Sequence, residues 1–392
     1  MASSLTYSDI QVALREGYQD TSEDVLVKKH PLLATIDRNR KFIEPKIRVP
    51  IKYARGVGGA PSFTTAQTNK TAAKVDAFEV TRVNYHQPAD IDGEAVEAAA
   101  LGKGEEFLQL VTDLIDDHQE QVTNHIALTA YRTSGGAIGT VGSGTSSPIT
   151  MANIEEVDAL EVGMIIKAND GNDATSMRSG TGTITAIDYN TGVVTYTGTI
   201  TSLAVADYIF VEGHAGAVAS GLEAWCPESA PGATEFFGVD RSTNSRLGGT
   251  RLDCSTYTPE EVFARVNARA SRLAKKPDAY FVHPTDLANM EVNLSSQKSI
   301  VDSREYDFGF EALSAYGTPV IADTDCQRGV MWGVNFDHFT FASMGDAPKV
   351  LDSDGNMMLR KSTSDDYEVR IGARYQFYSD APLFLLRAKL PV

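Results

Sequence analysis

Cysteine is scarce in this chain. There are three in 392 residues, Cys226, Cys254 and Cys326, an odd number set far apart. That count fits neither a disulfide framework nor a C-x-x-C metal or redox pair, and it points to a reducing compartment. Long apolar runs are missing too: nothing approaches the ~18 residues of a transmembrane helix, so no membrane partner is expected. The opening Met1–Asp9 lacks the basic-then-apolar pattern of a secretion signal, and the expected setting is cytoplasmic. Positive charge is short as well. Lys plus Arg number 35 against 52 Asp plus Glu, a net of −17. A chain that acidic is not built to grip phosphate backbones by counterion release, which disfavours nucleic-acid binding as its main task.

What is present is apolar material in quantity. With 42% hydrophobic residues over 392 positions, the chain is a folded protein of two or three structural units. Residues 1–45 mix short apolar pieces (Val12, Leu14, Val25–Val27, Pro31–Leu33) with charge and keep no period, the pattern of an extended arm lying on something else. Lys46–Tyr53 alternates charged with apolar, as a two-sided strand does. The alternation breaks at Arg55–Pro61, gives way to polar Phe63–Lys74, and resumes in Phe78–Tyr85. Residues 46–85 therefore read as a long hairpin projecting from the body.

The clearest helix spans 102–133. Phe107, Val111, Leu114, Ile115, Val122, Ile126 and Thr129 recur at three- and four-residue steps. Glu105 and Glu106 suit its first turn, and Asp113, Asp116, Asp117 and Glu120 make the other face acidic. Such a rod is expected to act as a spine. Gly139–Pro148 reads as a linker by composition. Short β-branched runs then follow at Met164–Lys167, Gly182–Asp188, Gly192–Thr197 and Asp207–Val211, with Asn190–Gly192 as a turn, so 150–213 is expected to be a small inserted β-barrel.

The remainder is α+β. Thr258-Pro-Glu-Glu261 is a capping box opening a helix with Val262, Val266, Ala270 and Leu273 on one face. Ala279–Val282, Thr318–Ile321, Val330–Val334, Phe339–Phe341 and Lys349–Leu351 read as strands, and Asp354-Gly355 as a hairpin turn leading to Met357–Arg360. The last runs, Glu368–Phe377 and Pro382–Leu390, are expected to pair with each other.

Chemistry-bearing patterns are thin. The seven histidines (His30, His86, His118, His125, His214, His283, His338) form no H-E-x-x-H or H-x-E…C-x-x-C pattern. No G-x-S-x-G elbow exists for a serine nucleophile beside His283. Asp352-Ser-Asp354-Gly-Asn356 places glycine too early for a calcium loop and ends on Thr363 where glutamate is required. Gly139, Gly142 and Gly144 have no Gly-Lys-Ser/Thr after them. No catalytic residue, metal site or cofactor is expected. Arg265, Arg269, Arg272 and Lys276 form a basic stripe at helical spacing, best read as a face that pairs with acids in this chain or a neighbour. Lys52, Lys70 and Lys74 in the hairpin read as solvated or salt-bridged, a covalent link to a neighbouring subunit being the sharper alternative.

The order of parts resembles the major capsid protein of tailed bacteriophages, the Hong Kong 97 fold. The stretches that carry the likeness are Gly104–Ile115 with its Tyr131–Gly136 end, Gly221–Trp225, Tyr280–Met290, and Gly317–Asp323 leading to Gly329–Phe336. The resemblance implies an amino-terminal arm (1–45) and an extended loop (46–85) lying across a neighbouring subunit. It also implies a peripheral domain (86–149) with its spine helix, an axial domain (214–345) and closing strands (346–392), with 150–213 as the inserted β domain. It further implies assembly into hexamers and pentamers of an icosahedral virion shell in a bacterial host cytoplasm. Scaffolding, portal and decoration proteins are the implied partners, and double-stranded DNA is enclosed without sequence-specific binding. Inter-subunit contact is expected at Lys52, Arg55, Phe63, Lys70, Lys74, Arg265, Arg269 and Arg272. Two rivals stay open: an encapsulin-like compartment of the same fold, and an enzyme or carbohydrate-binding protein whose site the β insert supplies.

Overall fold

The computed structural model describes residues 30–93, 104–294, 303–305, 311–352, 355 and 357–391. The arm pieces Val12, Leu14 and Val25–Val27, together with Asp354 and Asn356, lie outside these residues, as do the side chains of Glu105, Glu106, Phe107, Val111, Asp113 and Leu114.

The described chain begins on structure that the sequence reading treated as arm. Pro31–Thr35 is a short helix, α1, and Asp37–Asn39 is a strand, β1. Leu32, Leu33, Ile36 and Phe42 are buried, and each contributes about 1.5–3 kcal/mol by leaving water. The end of the arm is therefore part of the core. The hairpin follows: β2 (Lys46–Ala54) pairs antiparallel with β3 (Lys74–Thr81) in register from Lys46 opposite Thr81. Between them Phe63–Asn69 forms a helix, α2, which the polar composition had not suggested. The run expected to form the hairpin's second strand divides at Arg82, and Val83–Ile91 is β4 in another sheet.

The spine helix α3 runs from Gly104 to Tyr131, 28 residues, a rod of about 42 Å at ~1.5 Å per residue. Ile115, Val122, Ile126 and Ala130 form its fully buried stripe. It packs on a six-stranded sheet centred on β20 (Tyr367–Ser379). One edge of β20 takes β4. Along the other lie β17 (Phe339–Ser343), β18 (Lys349–Val350) and β19 (Met358–Arg360), and β1 runs parallel to β17. The expected hairpin between Lys349–Leu351 and Met357–Arg360 is not formed. Both segments run in the same direction along β20, so they are two parts of one strand line.

The stretch read as a linker is also strand. Gly139–Ser143 is β5 and Ile149–Met151 is β6. With β7 (Ile165–Asn169), β8 (Gly182–Asp188), β9 (Val193–Gly198) and β10 (Tyr208–Val211) they close a barrel in the order β10-β5-β6-β9-β8-β7. The glycine-rich composition has a packing cause: a Cβ on Gly142 would sit 2.9 Å from the Ala152 Cα, so only glycine allows β5 and β6 to approach there. The barrel's interior is its own, built from Val141, Ile149, Met151, Ile166, Ile184, Val194 and Ile209 among others.

The last layer is a seven-stranded sheet. Its strands are β11 (Thr250–Asp253), β12 (Ala279–Val282), β13 (Ser303–Glu305), β14 (Glu311–Ala315), β15 (Thr318–Ala322), β16 (Val330–Val334) and β21 (Leu386–Lys389), in the order β11-β21-β16-β12-β15-β14-β13. A short helix α4 (Leu222–Trp225), the capped helix α5 (Pro259–Ala270) and α6 (Pro284–Leu294) accompany it. Glu261 accepts from the Thr258 N–H at 3.2 Å, as the capping box requires. The expected pairing of the two terminal strands does not occur. Both edges of β20 are occupied, and the turn at Pro382–Phe384 carries β21 into the other sheet, between β11 and β16. Strand pairing thus crosses the boundaries read for 214–345 and 346–392.

Candidate assembly surfaces

The base of the hairpin is fixed by aromatic packing. Alternation along β2 and β3 turns Val49, Ile51, Phe78 and Val80 inward, where all four are buried. Trp225 meets Phe78 edge-on at 5.0 Å and Phe236 at 5.0 Å, and its indole N–H donates to the Phe377 carbonyl at 3.1 Å. Gly221 brings α4 this close to the spine, because a Cβ there would lie 2.2 Å from the Thr129 and Ala130 carbonyl oxygens. Asn244 and Arg246 both donate to the Tyr53 carbonyl, and the Glu79 N–H donates to Phe237.

Beyond Tyr53 the hairpin has nothing of its own to bury. Lys52, Arg55, Phe63, Lys70 and Lys74 are all exposed, as are Val57 and Val75. Phe63 is 77% exposed and Val57 66%. The tip is nevertheless ordered: the Thr71 N–H donates to the Val57 carbonyl at 2.8 Å, closing the two arms around α2. An isolated two-stranded ribbon is marginal in water without a hydrophobic face to pack. The structure brings these five expected contact residues onto one projecting element. Lys46 and Arg48, by contrast, are neutralised at the base by Glu79, at 3.2 and 2.6 Å.

Arg265, Arg269 and Arg272 are on α5 and just beyond its end, apart from the hairpin. The Arg265 guanidinium stacks 3.6 Å above the Tyr257 ring. Arg269 is half-buried, with its Nε unpartnered among the described residues, and Arg272 is exposed.

Sequence reasoning missed the contacts that seat the barrel on the body. Arg328 pairs with Asp286 at 2.9 Å and with Glu155 of the barrel, while Asp286 also accepts from the Gly329 N–H at 2.7 Å. Thr285 donates to the same Glu155 carboxylate. His283 is buried beside this network, and burial lowers its pKa. Tyr85 stacks on His125 at 3.8 Å, and His214 closes on His125 at 4.8 Å. Burial, with His214 alongside, holds the His125 imidazole well below its usual value, which suits a neutral packed ring. Except for Thr285, Asp286 and Gly329, these groups line a cavity of about 630 Å³ between the spine helix, the barrel and the seven-stranded sheet. Their carboxylates are held in ion pairs and cap contacts, an arrangement that fixes position. No local pattern points to this network, because Glu155, Asp286 and Arg328 come from distant segments.

Among the described residues, no group of three or more His, Cys, Asp or Glu side chains is placed to hold a metal ion, and no helix is long and apolar enough to cross a membrane. All three cysteines are free and buried, and burial raises the Cys226 thiol to about 12.

Six-stranded sheet, spine helix, projecting hairpin and seven-stranded sheet together are the Hong Kong 97 fold of tailed-phage capsid proteins. The particular likeness is to the capsid asymmetric unit of cyanophage A-1(L), with a TM-score of 0.54 at 14% identity, covering 93% of this chain and 93% of that one. The capsid of Myoviridae phage XM1 is more distant, with a TM-score of 0.45 at 8% identity over 92% and 90% of the two chains. So is the holo-SrpI encapsulin complex from Synechococcus elongatus, at 0.45 and 10% over 91% and 86%. No family model matches the chain, and no curated protein matches it.

Proposed function

We propose that this chain is the major capsid protein of a tailed phage, a structural subunit that assembles with copies of itself into the hexamers and pentamers of an icosahedral shell around double-stranded DNA. The observation that carries the reading is the hairpin tip: ordered chain with exposed Val57, Phe63 and Val75 and no core beneath it, on a body with the fold of a cyanophage capsid subunit. Such an element gains its stability by lying across another copy, and repeated contacts on the order of 1,000–2,000 Å² close into a symmetric shell. The barrel is an insert in this fold, since Gly135 and Gly216 on either side of it are joined by a hydrogen bond of 2.9 Å. The acidic charge of −17 suits a wall that contains DNA without gripping it. Scaffolding, portal and decoration proteins are its partners within the virion.

Electron microscopy of the purified protein, expressed alone and with its neighbouring gene products, tests this. Shells or ring-shaped capsomers are the expected result. Only monomers under every condition would sink it, and closed shells holding protein cargo instead of DNA would favour an encapsulin-like compartment.

A further inference from the structure

The first described residues are seated by a buried cluster that no assembly role requires. His30 places Nδ1 2.6 Å from Asp325 Oδ2 and Nε2 3.0 Å from Asn124 Oδ1. Both ring nitrogens face acceptors, so the arrangement is satisfied by the imidazolium, which donates twice; a neutral ring would need the Asn124 amide to turn over. Next to it Asp323, 2% exposed, accepts from the Tyr131 hydroxyl at 2.7 Å, the Leu32 N–H at 3.3 Å and the Asp325 N–H at 3.0 Å. The Leu32 N–H belongs to α1, so Asp323 holds the first turn of the segment that follows His30.

We propose that His30, Asp323, Asp325 and Tyr131 form a proton-dependent latch that seats Pro31–Thr35 on the spine helix in mild acid and releases it as the solution turns alkaline. The charges decide the direction. With His30 protonated, Asp325 ionised and Asp323 neutral, the cluster carries no net charge. With His30 neutral and both carboxylates ionised, two negative charges face each other in a buried site. The other groups packed against it do not cancel them. Arg132 faces Asp325 but is shared with Glu156 and Glu223, and Cys326 is a buried thiol facing Asp286 as well.

The titrations agree in sign. Burial works against the His30 charge, but the hydrogen bond and charge of Asp325 outweigh it, and its pKa is raised. Burial, and then Asp325, lift Asp323 to about 7. A group whose folded value is raised contributes stability below its unfolded value and loses it as pH rises through the folded one. The Asp323 part is therefore lost between the ordinary carboxylate range and about pH 7, and the His30 part as pH rises above the ordinary imidazole range through its raised value, whatever the chain assembles into.

Hydrogen exchange of the full chain at pH 6 and pH 8.5, corrected for intrinsic rates, reads the latch directly. Protection of Leu32–Ile36 is expected to fall at least tenfold between the two, while Ala279–Val282 in the sheet stays unchanged. Asp323→Asn keeps one acceptor oxygen and removes the charge, and should make the fall in protection between pH 6 and pH 8.5 smaller than in the wild type. His30→Gln should lose it already at pH 6. Equal protection of Leu32–Ile36 in the wild type at both pH values would overturn the proposal, as would an undiminished fall in Asp323→Asn. The wild-type comparison alone decides against the latch even where a variant does not fold.

Discussion

The barrel and the hairpin are both antiparallel β-structure hung on the same body, and they treat their apolar side chains differently. In the barrel, alternation feeds a closed interior that includes Val157 and Leu160 beside the strand residues. Its edges are consumed by closure. In the hairpin, alternation serves only the base, where Val49, Ile51, Phe78 and Val80 meet Trp225 and its aromatic neighbours. From Lys52 to Asp76 the side chains are exposed or half-buried. One element is complete within the chain; the other leaves Val57, Phe63 and Val75 exposed, and on the proposed function a neighbour covers them.

The severest test of that contrast is excision. Joining Gly136 to Ala215 removes the barrel between two points already side by side, and a soluble, folded body is expected by circular dichroism and size-exclusion chromatography. Joining Thr150 to His214, the cut that the sequence alone would suggest, leaves β5 and what remains of β6 without their neighbours β10 and β9 and should give insoluble protein. Equal solubility of the two would show that the barrel is not a closed unit.

Next in size is Phe78→Ala at the hairpin base, which should cost about 3–5 kcal/mol in denaturant unfolding by opening a cavity against Trp225. Arg328→Met should cost about 3 kcal/mol, because it leaves the buried Asp286 carboxylate without its cation. A weakening of the barrel's seat would appear as faster proteolysis near Gly213–Gly216. Acid should act on the barrel through Asp207. Burial works against that carboxylate, but two bonds from Arg178, at 2.9 and 2.8 Å, and the Ala204 N–H hold its pKa below the usual value. Its contribution is therefore full above about pH 4 and lost as pH falls through the depressed value. Asp207→Asn should remove that part of the acid dependence. Smallest of all, Phe63→Ala should leave the unassembled chain within about 0.5 kcal/mol of wild type while reducing assembly yield.

Local pattern made much of this legible. The spine helix, the capping box at Thr258 and the alternation of β2 are written in residues near one another, and the structure places them within a few positions of their expected ends. Pairing is not local. The terminal strands look like natural partners until β4 and β17–β19 are seen to occupy both edges of β20. Lys349–Arg360 reads as a hairpin because Asp354-Gly355 favours a turn, and nothing in the sequence says that both halves lie along one strand. Gly139–Gly144 looks like linker because glycine serves flexibility and close approach equally well. That Lys52, Arg55, Phe63, Lys70 and Lys74 lie exposed on one hairpin was legible from the polar run between two alternating strands. Arg328 and Glu155 were not, since neither has a partner within reach in sequence.

The account stands most directly on the hairpin tip becoming covered. With all three native cysteines buried, Phe63→Cys offers a single reactive thiol, whose labelling rate can be compared in unassembled and assembled protein. The account predicts labelling slowed by at least tenfold on assembly; an unchanged rate in well-formed shells would contradict it.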